Sequence, residues 1–94
     1  MKKPNITELK IRSEIPVDAK FIGWLIYDPF QNYFLSTSRE TDIGLTKRWV
    51  SSLETALKFK QHKKAIQQLE KMELRGTAVL AAAFDCKSEL RFGI

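Results

Sequence analysis

Between residues 9 and 15, apolar Leu9, Ile11 and Ile15 alternate with charged Lys10, Arg12 and Glu14. A period of two predicts a half-buried strand over about 7–15, broken by Pro16-Val17-Asp18. The next run, KFIGWLIYD at 20–28, is aromatic and β-branched with no polar alternation. That pattern predicts a central strand covered on both faces, or with one face against a partner. Gly23 beside Trp24 marks a point where another part of the structure approaches closely. Asp28-Pro29-Phe30-Gln31-Asn32 is turn chemistry, so YFLST at 33–37 returns as the antiparallel partner of a hairpin. The polar STSRETDIG that closes on Gly44 reads as a loop, and LTKRWV reads either as a further strand or as the lead-in to a helix.

After Trp49 the period changes. Leu53, Ala56 and Leu57 recur at three and four, and so do Phe59, His62, Ala65, Ile66, Leu69 and Met72. The apolar positions make one stripe, with Lys60, Lys63, Lys64, Gln67, Gln68 and Lys71 on the other side. The spacing predicts a helical turn over 52–57 and a longer helix over about 61–73, stopped by Gly76. Ser51 or Ser52 serves as N-cap, and Glu54 suits the positive end. Residues 77–84 are small and apolar and read as a buried strand. Asp85-Cys86-Lys87-Ser88 turns the chain, and ELRFGI forms an edge strand. The expected fold is α+β: an antiparallel sheet of about four to five strands, with one main helix and a short helical turn packed on one face. Residues 1–94 make one domain.

Charge changes this picture at one place. Residues 47–75 hold eight lysines and arginines against three glutamates, which accounts for the whole net charge of +5. A one-signed field on one segment favours acidic partners. Lys47 and Arg48 beside Trp49 suit phosphate contact with stacking, though the segment lacks the dense arginine of a dedicated groove reader.

Catalytic and metal chemistry find little footing. A single cysteine, Cys86, excludes an internal disulfide and sites built on paired cysteines. A single histidine, His62, excludes a His-pair site. His62 sits among lysines that depress its pKa, and no local nucleophile or orienting acid accompanies it. Asp28, Asp42 and Asp85 lack the carboxylate spacing of a calcium loop. The glycines at 23, 44, 76 and 93 are too far apart for a phosphate loop. No cofactor is expected. The longest apolar run, 78–84, is too short to span a bilayer, and the N-terminus carries no signal-peptide core, so a cytoplasmic protein is expected.

Trp24, Tyr27, Tyr33, Leu35, Trp49, Ala56, Phe59, Ala65 and Leu69 resemble a pattern in small accessory proteins of phages and mobile elements, across roughly residues 20–72. In that pattern a twisted aromatic hairpin is followed by a tryptophan, a helical turn, Ala-x-x-Phe and an amphipathic helix. Some such proteins inhibit host defence, anti-CRISPR proteins among them. The resemblance implies a non-enzymatic phage or mobile-element inhibitor acting by steric binding to a host protein or ribonucleoprotein, a CRISPR effector for instance. The basic charge departs from inhibitors that imitate DNA. The alternative is a small nucleic-acid-binding regulator using 47–75. The expected partner-binding residues are Phe30, as an aromatic anchor at the turn tip, with Arg48, Lys60, Lys63 and Lys64 steering. An uncovered sheet face or edge would also favour a homodimer.

Overall fold

The computed structural model describes residues 3–41, 44–72 and 76–94, with backbone alone for 37–41 and 44–46. The elements are α1 (Ile6–Arg12), β1 (Lys20–Asp28), β2 (Tyr33–Thr41), β3 (Gly44–Val50), α2 (His62–Lys71), β4 (Val79–Asp85) and β5 (Leu90–Gly93). The strands form one five-stranded sheet in the order β3-β2-β1-β4-β5. Every neighbouring pair is antiparallel. The expected α+β class holds, with two helices packed against the sheet.

The first segment corrects the sequence reading. Residues 6–12 are helical, not extended, because Asn5 caps them: its Oδ1 accepts from the N–H groups of Thr7 at 2.8 Å and Glu8 at 3.3 Å. The helix turns Leu9 into the core with Ile6 beside it and leaves Ile11 69% exposed. The alternation from Leu9 to Ile15 breaks at Ser13, where no apolar residue stands, and does not outweigh that cap. The Asn5…Glu8 spacing was the overlooked signal.

The expected loop over 36–44 is a second correction. β2 continues to Thr41 and pairs with β3 down to the Thr41/Gly44 position. LTKRWV is therefore a strand, and Asp42 and Ile43 lie outside the described residues.

β1 is central, as its unbroken apolar run predicts, and residues 23–27 are all buried. Trp24, Ala82 and Phe84 face both helices through Leu9 and Ala65. Ile26 and Leu35 meet Leu69 and Met72 on the same side. A register shift between Phe21 and Gly23 brings Phe21 onto that face too, edge-on to Trp24 at 5.3 Å and to Phe84 at 5.8 Å. Leu25, Tyr27, Ala81 and Ala83 face the other way, against Leu53, Ala56 and Phe92. The short turn thus covers the face opposite α2, where the sequence placed both helical pieces together. The chain itself covers that second face.

The chain passes between these faces through the sheet. β1 and β2 pair only at Tyr27/Phe34 and Asp28/Tyr33. Beyond that point the strands part, and residues 57–59 enter the gap. Leu57 donates its N–H to Leu35 O at 2.9 Å, and Phe59 exchanges two backbone hydrogen bonds with Trp24. Ala56 packs on one face, while Leu57 and Phe59 pack on the other. Backbone groups that the diverging strands would leave buried and unpaired are satisfied this way.

Gly23 makes the passage feasible, as its sequence position suggested. Its φ is +149°, and a Cβ there would lie 3.0 Å from Lys58 Cβ and 3.1 Å from Phe59 O.

Candidate binding surface around α2

α2 is amphipathic as predicted, with His62, Ala65 and Leu69 buried. His62 lies against Trp24 and Leu69 in the cluster of Ile26, so α2 follows β1 from its middle toward its Asp28 end. Its start is electrostatically one-sided. Gln61 is the N-cap residue and makes no side-chain cap bond, and the first turn holds no acid. The first N–H groups of a helix have no intrahelical acceptor, and the helix dipole makes that end positive. Lys60, Lys63 and Lys64 are exposed at this already positive end. None of their three side-chain ammonium groups has a hydrogen-bond or ion-pair partner among the described residues.

Three surface grooves adjoin the helix. The largest, about 530 Å³, runs between residues 58–61 and α2 and is lined by Lys60, Gln61, Lys64, Gln67, Gln68 and Lys71, with Lys58 and Phe59. A second holds Lys20, Phe21, Ile22, Gly23 and Lys60. The third holds Lys3, His62, Lys63, Ile66 and Gln67. Among the described residues, no carboxylate lines any of them.

The lysines are not equivalent. Lys58 is bound to the fold: its Nζ donates to the carbonyls of Leu53 at 2.7 Å, Ala56 at 3.1 Å and Glu54 at 3.4 Å. It holds the turn over 53–56 closed. Ser52, one of the two expected helix caps, instead serves this turn, donating to Glu54 Oε2 at 2.6 Å. That bond, first among several causes, lowers the Glu54 carboxyl from its ordinary range.

Of the five residues expected to bind a partner, the structure gathers three. Lys60, Lys63 and Lys64 share the start of α2. Phe30 is 85% exposed at the β1–β2 turn, past the other end of β1. There Asp28 Oδ1 accepts from the N–H groups of Phe30 at 2.9 Å and Gln31 at 3.3 Å, which fixes the turn. Arg48 is exposed on outermost β3, opposite Thr37. Lys20 joins the surface from a distant part of the chain, with no local sequence signal to mark it. Glu73 and Arg75 of the basic stretch lie outside the described residues.

Trp24 is fully buried, and Trp49 packs on the cluster of Leu35 and Leu69, so stacking beside Arg48 is not its role in this fold. His62 is 94% enclosed by its surroundings, edge-on to Trp24 at 4.7 Å between ring centres, and its Nε2 has no hydrogen-bond partner. Burial is the main cause that holds its imidazole below the ordinary 6.5, and Lys3 adds to it. The neighbouring lysines on α2, expected to be the cause, are not. Cys86 sits in the β4–β5 turn, where its N–H donates to Glu89 O at 2.9 Å. Among the described residues no three metal-ligating side chains cluster, and no helix is long and apolar enough to cross a membrane.

Comparison with known proteins finds no family model, no curated protein and no solved structure that matches this chain.

Proposed function

We propose that this chain is a non-enzymatic binding protein that docks on a negatively charged macromolecule through the lysine side of α2 and acts by covering that surface. One observation carries the reading. Among the described residues, the grooves on both sides of α2 are lined by lysine and glutamine, with Phe59, His62 and Ile66 and no carboxylate, and both include residues at the uncapped positive end of the helix. A surface meant only for solvation mixes both signs of charge. A field of one sign raises the local concentration of the opposite sign and speeds encounter. Steric inhibition of a host defence ribonucleoprotein, as the resemblance implies, is one use of such a surface.

The test compares the tagged chain with its K60E/K63E/K64E variant on a bacterial lysate, with and without nuclease. All three lysines are exposed, so the variant is expected to keep a native circular dichroism spectrum. Protein or nucleoprotein species retained by the parent and lost by the variant are the expected result. Identical recovery by both proteins would remove the lysine side from the account.

A further inference from the structure

Two separate grooves share Lys60, and their lining points to a particular acidic partner. Lys20 lines one of them, and Lys64 and Lys71 line the other. Phe21 lines one groove and Phe59 the other, both half-buried residues that also pack on the core. A cationic groove with interleaved aromatic rings suits a chain that carries a charged backbone and flat bases. An acidic protein surface has use for the lysines but not for the rings.

We infer that these grooves bind single-stranded nucleic acid, with phosphates along Lys20, Lys60 and Lys64 and a base against Phe59. The inference deepens the proposed docking on a negatively charged macromolecule and rests on it. The aromatic residues argue for a single strand over a duplex. A duplex keeps its bases stacked on one another and offers such a surface its phosphates alone. Unpaired bases are the ones free to stack on an aromatic side chain. The start of α2 borders the larger groove, because Gln61 lines it together with Lys60. A phosphate there meets the unpaired N–H groups of the helix end. Lys58 is left out of the phosphate set because three backbone carbonyls already hold its Nζ.

The test is fluorescence anisotropy with a labelled twelve-nucleotide oligo-uridine, a blunt duplex of equal length and a labelled poly-glutamate of similar charge. The expected order is single strand at least about tenfold tighter than duplex, with poly-glutamate weaker than both. Log K should fall with log salt at a slope of about −2, set by three phosphates. Lys60→Ala should lessen that slope by about 0.7, one phosphate's worth. Phe59→Leu, which keeps apolar bulk, should weaken binding by about fivefold or more and leave the slope unchanged. Shifts of the Phe59 ring resonances on adding oligo-uridine to the parent protein give the same information without a substitution. Equal or tighter duplex binding, or ring resonances that stay still at saturation, would overturn the single-strand inference while leaving the docking surface in place. Binding of poly-glutamate alone would overturn it in favour of an acidic protein partner. No binding of any of the three would remove both readings.

Discussion

Trp24 and Phe59 exchange both of their backbone hydrogen bonds. The Trp24 N–H donates to Phe59 O at 2.7 Å, and the Phe59 N–H donates to Trp24 O at 2.9 Å. This pair bonds residues 57–59 into the gap where β1 and β2 diverge. It also carries the chain from the face covered by Ala56 to the face covered by α2. The position of the lysine grooves follows from it, because Lys60 leaves the sheet directly beside Lys20 and Phe21.

Gly23→Ala is expected to destabilise the fold by about 1–3 kcal/mol, since the backbone at φ +149° is strained for any side chain and the added methyl meets Lys58 and Phe59. Urea denaturation followed by tryptophan fluorescence measures it. A variant as stable as the parent would mean that residues 57–59 do not hold this close approach.

Asn5→Ala should cost about 1 kcal/mol, because two N–H groups at the start of α1 lose their acceptor. Asn5→Asp should recover most of that. If the segment were the strand that its alternation suggested, neither change would register in a denaturation midpoint.

Leu69→Ala should cost about 2–5 kcal/mol, as it opens a cavity between α2 and the cluster of Ile26 and Leu35. Ala substitutions at Lys63 and Lys64, on the outer side of the same helix, should stay within about 0.5 kcal/mol. That contrast, read by thermal unfolding, tests which side of α2 is held.

His62 should make stability depend on pH. Its imidazole is held below the ordinary 6.5 in the folded chain. Above that value both folded and unfolded chains carry it neutral, and it contributes no slope. Below it the unfolded chain takes up the proton first, so stability falls as pH drops from 6.5 toward the folded value. Unfolding midpoints at pH 7.5, 6.5 and 5.5 measure the decline. His62→Phe, which fills the same space with no nitrogen to satisfy, should flatten it, and an equal decline in that variant would assign the effect elsewhere.

Much of the fold was legible from local pattern. The unbroken apolar run of β1 declared a strand buried on both faces, and the three-and-four spacing from His62 to Met72 declared a helix with a lysine side. Both signals follow from the geometry and burial of a single element. α1 was legible too, in Asn5 and Glu8, but the alternation at 9–15 masked it. A cap is two residues long and carries no period. The composition also bounded the chemistry, since one cysteine and one histidine exclude an internal disulfide and sites built on paired cysteines or paired histidines. What only the tertiary structure decided is where the chain goes between elements. The spacing of Ala56, Leu57 and Phe59 cannot reveal that they pass through a sheet, because the backbone groups that they satisfy belong to Trp24 and Leu35. For the same reason Lys20 and Lys60, forty residues apart in the numbering, come to line one groove, while Phe30 and Arg48, expected to join the lysines, are carried to other edges of the sheet. Strand divergence and the pairing that fills it are long-range hydrogen-bond problems, and their solution leaves no mark on the residues that supply the charge.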